Sequence, residues 1–355
     1  MKNSTLARFL SSFALSAISA TALAQSYKLV DLTALLGGST VAKKVNFGSQ
    51  VVGQSGALYG EHTHAVLWSS GTLVDLGTLP GGDYSSAFDI NLRGAVVGES
   101  NTDRNIHAFI WDPVSGMQDI GTLPGDSGSR AFGINDPGQV VGYSSGPKGV
   151  AAFMWQKGSG AVSMGTLPGG DTSQALAINN DGLAVGFSTV SSGDRHAFLW
   201  SASAGMKDLG TLPGDSASEA HRINSPGDVI GSSTGPGGTH AFLWTAAGGM
   251  KSLGGINGNA SNAIDFNNSD QVVGVATTAM GGHAFVWSAS TGMVDLNSVI
   301  PANAGVILTS AVGINNAGAI VAIGAVTSDH SQTFELDDTH AHPGQIHAFL
   351  LVPVS

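Results

Sequence analysis

The sequence predicts an all-β fold: a seven-bladed β-propeller of four-stranded blades whose last blade is closed by the N-terminal strand. Three observations predict it. A pentapeptide Gly-Thr-Leu-Pro-Gly starts at Gly77, Gly121, Gly165 and Gly210, at intervals of 44, 44 and 45 residues, with a degenerate copy at Gly254. Glycine makes up 51 of 355 residues, about twice the usual ~7%, and each interior Gly costs a helix roughly 1 kcal/mol against Ala. The two ends of the chain read as complementary pieces of one blade.

The first 24 residues stand outside the repeats. Lys2 and Arg8 precede an uncharged run from Phe9 to Leu23, and Ala22-Leu23-Ala24 offers small residues at −3 and −1 of a cut before Gln25. This is the pattern of a secretory signal peptide, and the run is too short and too rich in Ser for the ~20 apolar residues of a membrane span. An exported product, periplasmic or extracellular, is expected. Cleavage would leave 12 basic against 25 acidic residues, a balance that argues against nucleic acid as a partner. The absence of Cys excludes disulfides, thiolate metal sites and thiol catalysis.

Residues 25–355 align as a single domain of seven copies, about 44 residues each. Strand one reads Ser-x-Ala-x-x-Ile-Asn and ends at Asn46, Asn91, Asn135, Asn179, Asn224, Asn267 and Asn315. A tight turn follows, Asn135-Asp136-Pro137-Gly138 being typical, with the residues a type I turn favours at its first and fourth places. Strand two is a β-branched stretch ending in Gly (Gly53, Gly98, Gly142, Gly186, Gly231 and Gly274; Ala322 in the last copy). Strand three is His-Ala-Phe-x-Trp, and strand four resembles Met206-Lys207-Asp208-Leu209. Four short strands per repeat is the blade of a propeller. Tyr27 to Leu32 matches a fourth strand, while His347 to Leu351 is a third strand with no fourth behind it, so the N-terminal strand should complete the last blade.

The Leu-Gly-Thr-Leu, Ile-Asn-x-x-Gly-x-Val-Val-Gly and His-Ala-Phe-x-Trp elements resemble the HAF repeat of extracellular bacterial proteins. The resemblance spans essentially the whole chain after the leader. It implies an exported repeat protein and brings no catalytic residue with it. Ala151, where the other copies place His, departs from the pattern.

Residues present in every copy serve packing first. The six Trp are expected between blades, and the repeated His (His64, His107, His196, His240, His283 and His347) in structural bonds. Asp83, Asp126, Asp171 and Asp215 after the Leu-Pro-Gly turn read as turn caps, with a calcium ring the alternative. Function should then lie in the residues outside the repeat frame. The last copy carries an insertion at about 325–345, holding His330, Asp337, Asp338, His340 and His342, a set whose chemistry suits a divalent metal such as zinc, manganese or calcium. A solvated His/Asp-rich loop is the competing reading. The ring would bring Tyr59, Glu61 and His62 of the first blade, and Tyr84 and Arg104 of the second, to the same sector of one face. The innermost strands add Arg130, Glu219, His221 and Arg222 at a channel mouth.

The pattern favours a monomeric, exported binding module that presents variable loops on one face to a glycan, a surface polymer or a protein. The alternative is an exported polysaccharide- or ester-cleaving enzyme, of lyase or hydrolase type, with a His/Asp-rich and metal-assisted site. A structural envelope or matrix protein is the third. No P-loop and no Gly-x-Ser-x-Gly motif is present.

Overall fold

The computed structural model describes residues 26–32, 40–56, 62–326 and 346–354. Its 28 strands, numbered β1–β28 in chain order, form seven four-stranded antiparallel sheets. Six sheets take their strands consecutively. The third, for example, is β10 (Gly128–Ile134), β11 (Val140–Gly146), β12 (Gly149–Gln156) and β13 (Gly160–Gly165). The seventh is β26 (Val306–Ile314), β27 (Ile320–Val326), β28 (Ile346–Pro353) and, on its outer edge, β1 (Tyr27–Leu32). Tyr27 lies opposite Pro353 and Leu32 opposite Ala348. The chain is thus a seven-bladed propeller closed by its N-terminal strand, as the repeat predicts. Among the described residues no helix is long and apolar enough to cross a membrane.

The core lies between blades. Phe109, Phe153, Phe198, Phe242, Phe285 and Phe349, the third residue of the His-Ala-Phe element in blades two to seven (Ala-Ala-Phe in blade three), are at most 2% exposed, whereas only Trp244 among the Trp is buried. The Ala of strand one is at most 1% exposed in all seven copies. It lies directly opposite the Gly of strand two, as Ala131 opposite Gly142. A Cβ on Gly142 would overlap the carbonyl oxygen of Arg130, so close approach of two backbones, and not a turn, demands this glycine. Each innermost strand then bulges by one residue, between Ala131 and Gly133 in blade three. The last blade has a second bulge, between Leu308 and Ser310, and there Ala322 stands in for the glycine.

The repeated Asn does more than turn the chain. Its Oδ1 accepts the N–H four residues on, as from Gln139 to Asn135 at 2.8 Å. Its Nδ2 reaches the next blade. Asn46 donates to the carbonyl of Asn91, Asn91 to Asn135, Asn135 to Asn179, Asn179 to Asn224, Asn267 to Asn315, and Asn315 back to Asn46, at 2.9–3.2 Å. The seventh, Asn224, donates instead to Oδ1 of Asp270 at 3.1 Å. A circle of buried amides therefore ties the inner strands together at the turn face. The Ser of strand one adds a second inter-blade link: Ser129 accepts the N–H of Ala108 and donates to the carbonyl of Gly121.

Candidate functional site

The loops between strands two and three and those between blades open on one face, here the loop face. Most of the repeated polar residues on it are structurally committed. Nδ1 of His64, His107, His196, His283 and His347 lies 2.7–2.9 Å from a carboxylate oxygen of Asp75, Asp119, Asp208, Asp295 and Asp31 respectively. Each pair clamps strand three to strand four. In blades one, two, four and six the same Asp accepts the N–H of the residue two beyond it, as Asp208 from Gly210 at 2.7 Å. Asp83, Asp171 and Asp215 bond side chains ending strand two of their own blades: Asn101 (2.5 Å), Thr189 (3.0 Å) and Ser233 (2.7 Å). Among the described residues no three His, Asp or Glu side chains are grouped to hold a metal ion.

Of the residues outside the frame, Tyr59 and Glu61, and the set His330, Asp337, Asp338, His340 and His342, lie outside the described residues. At the seam of blades one and two, Nδ1 of His62 is 3.6 Å from Asp83, and Arg104 is 3.7 Å from its neighbour Asp103, all well exposed.

Tyr84 turns the other way, toward the channel, and meets Arg130. Its hydroxyl donates to Oε1 of Glu99 at 2.9 Å, while Nε of Arg130 lies 2.5 Å from Oε2, an ion pair without hydrogen-bond alignment. Glu99 is 5% exposed. Burial, then the charge of Glu99 and the hydrogen bond to it, push the Tyr84 hydroxyl up to about 12. Burial pulls the Lys43 ammonium down, opposed by the charge of Glu99. The Arg130 guanidinium lies 5.9 Å from the centre of the Tyr143 ring, and Phe132 packs against both Tyr143 (5.7 Å) and Phe88 (5.2 Å).

Register explains this convergence. The residue after the strand-two glycine lies opposite the residue before the strand-one Ala: Glu99 opposite Ser86, Tyr143 opposite Arg130, Phe187 opposite Gln174, Ser232 opposite Glu219. Each strand-two residue also faces the strand-one residue of the next blade. Ser86 accordingly donates to Gln54 (2.7 Å) and Arg130 meets Glu99, while Glu219 receives Arg195 from strand three of the preceding blade (2.9 Å), whose guanidinium lies 4.6 Å from the Phe187 ring centre. Glu99, Lys43 and Tyr143 were not singled out from sequence. Their signal was available: they occupy fixed repeat positions at which the residue type changes.

Nearer the turn face the channel is crossed by charges. Lys44 lies 2.6 Å from Asp265, and Arg222 3.6 Å from the same oxygen. Asp265 and Asp89 also accept the N–H of Ile314 and Ile134 in the following blades, at 2.8 and 3.0 Å. Burial raises the Asp89 carboxyl against the lowering effect of Lys44 and Arg222. His221, whose Nδ1 donates to the carbonyl of Ala263 at 2.6 Å, is held below the usual imidazole range by burial. His221 and Arg222 therefore serve inner-strand packing, apart from the Glu99 cluster.

No protein-family model matches the sequence, and no curated protein matches it. Solved structures do resemble it. Virginiamycin B lyase from Staphylococcus aureus superposes with a TM-score of 0.55 at 9% identity, over 92% of this chain and 99% of that one. A puromycin hydrolase S511A mutant complexed with PGG gives 0.54 at 15% identity, over 82% of this chain. TolB from Acinetobacter baumannii gives 0.46 at 12% identity, over 69% of this chain. The chain spans only 51% of the hydrolase and 62% of TolB. At these identities the likeness is one of fold: the chain is built as a β-propeller, as these proteins are.

Proposed function

We propose that this chain is an exported binding module, a member of the HAF-repeat group, that takes a glycan, surface polymer or protein on its loop face. The channel mouth at blades one to three is its recognition site. One observation carries the reading. Positions flanking the constant Ala and Gly change from blade to blade, and they place Glu99, Arg130, Tyr143 and Lys43 in one sector, where Tyr84 bonds Glu99. The same positions in blades six and seven hold Val275 and Ile323.

A lyase or hydrolase chemistry finds less support here, because a Tyr84 hydroxyl pushed up to about 12 is a poor base near neutrality. The test is a glycan and polymer array probed with the purified chain, beside Arg130→Ala and Tyr143→Ala. Retention by a subset of ligands, lost in both variants, is expected. Binding unchanged in both would overturn the assignment of the site. Metal content of the chain beside a His340→Ala/His342→Ala variant tests the zinc, manganese or calcium reading of the last-blade insertion.

A further inference from the structure

The His–Asp clamp has one exception among the six His-bearing blades. Blade three has lost both halves together, with Ala151 and Ser163 in their places. Blade five has lost only one: Ser252 stands where the others have Asp, and its hydroxyl keeps the turn by accepting the N–H of Gly254 at 3.1 Å. His240 remains, and among the described residues nothing hydrogen-bonds to it, although it is half-buried. A Cβ on Gly237 would lie 3.5 Å from its Cε1, so glycine there leaves that edge of the ring uncovered. His240 lines an open groove of about 660 Å³, with Pro213, Pro236 and Met250 as apolar walls; Lys251 also lines it, but its ammonium lies toward the turn between strands three and four, near Gly248. Asp215 also lines it, but its carboxylate accepts the Ser233 hydroxyl at 2.7 Å.

We propose that the blade-five groove is a binding site for a carboxylate, which takes the place on His240 that a protein Asp holds in the other His blades. In those blades the imidazole Nδ1 meets a carboxylate oxygen at 2.7–2.9 Å. An imidazole beside a vacated carboxylate position takes a ligand carboxylate in its place, with a charge-assisted hydrogen bond as the source of affinity. The site lies two blades away from the Glu99 cluster and does not depend on the reading of that cluster. The carboxylate can belong to a free organic acid or to an acidic sugar.

The test follows the Cε1–H signal of His240 by NMR in the full chain during titration with acetate, glucuronate and, as a neutral control, glucose. Saturable shifts with both acids, and a rise in the His240 pKa at saturation, are expected. Equal affinity for acetate and glucuronate identifies a free organic acid as the source, and at least about tenfold tighter glucuronate an acidic sugar. Ser252→Asp should rebuild the clamp within the chain and abolish both titrations. No saturable shift with either acid, an equal response to glucose, or undiminished binding in a folded Ser252→Asp variant would each overturn the proposal.

Discussion

Replacing Asn135 by Ala tests whether the circle of amides holds the inner strands. The side chain donates to the carbonyl of Asn179 (2.9 Å) and to Oε1 of Gln139 (2.7 Å), and accepts the Gln139 N–H (2.8 Å). Three bonds at about 1 kcal/mol net each set a first magnitude of roughly 3 kcal/mol. The Asn179 carbonyl keeps the N–H of Gly182 as a partner, so no full desolvation penalty is added there. With about 2.1 cal/mol/K of unfolding entropy per residue, a domain of this size shifts by roughly 1.4 °C per kcal/mol, so the melting temperature should fall by roughly 4 °C. Asn135→Asp sharpens the test. It keeps the acceptor for Gln139 but turns the donor into an anion aimed at a carbonyl, so its folded-state carboxyl is raised. That variant should be less stable than Asn135→Ala near neutral pH and recover as the pH falls and an O–H donor returns. Urea titrations of both, followed by Trp fluorescence, provide the measurement. An Asn135→Ala variant within about 0.5 kcal/mol of wild type, the range of ordinary surface changes, would refute the reasoning.

Three further outcomes are expected. The hydrogen bond to Asp31 raises the His347 imidazole above its ordinary value, against burial; its contribution is therefore complete below the unfolded value near 6.5 and fades as pH rises through the folded one. The stability difference between wild type and Asp31→Asn should shrink over that interval, as thermal scans from about pH 6 to about pH 8 would show. Gly142→Ala should destabilise by more than a typical core substitution, because its Cβ overlaps the carbonyl of Arg130 in a rigid backbone; chemical denaturation measures it, and a cost under about 1 kcal/mol would contradict the close approach. Glu99→Gln should lower the Tyr84 pKa from about 12 by removing the adjacent charge, which ultraviolet titration of the phenolic groups would detect.

Much of the fold was legible because a repeated motif states its own register. Seven Asn, seven Ala and six Gly at constant separation define four strands per unit, and an unpaired third strand at one end with a spare fourth strand at the other implies the closure found between β1 and β28. The His–Asp clamp was half legible. His was read as structural, yet the paired absence of His and Asp in blade three was the clue to its partner. The six Trp do pack on the inter-blade clusters, as expected, although Phe fills the fully buried place and only Trp244 is itself buried.

The sequence by itself determined the number of blades, the order of strands within them and the residues that every blade must keep. These follow from local spacing, hydrophobic pattern and turn chemistry, which act within about 44 residues. Only the tertiary structure decided which variable residues meet. Glu99 and Arg130 are 31 positions apart, and Lys44 and Asp265 are 221. Both contacts depend on how far each blade is rotated about the channel axis and on the bulge that re-aims the inner strands. That rotation is set by packing between blades, by buried Phe and Ala on facing sheets, and no single repeat contains it.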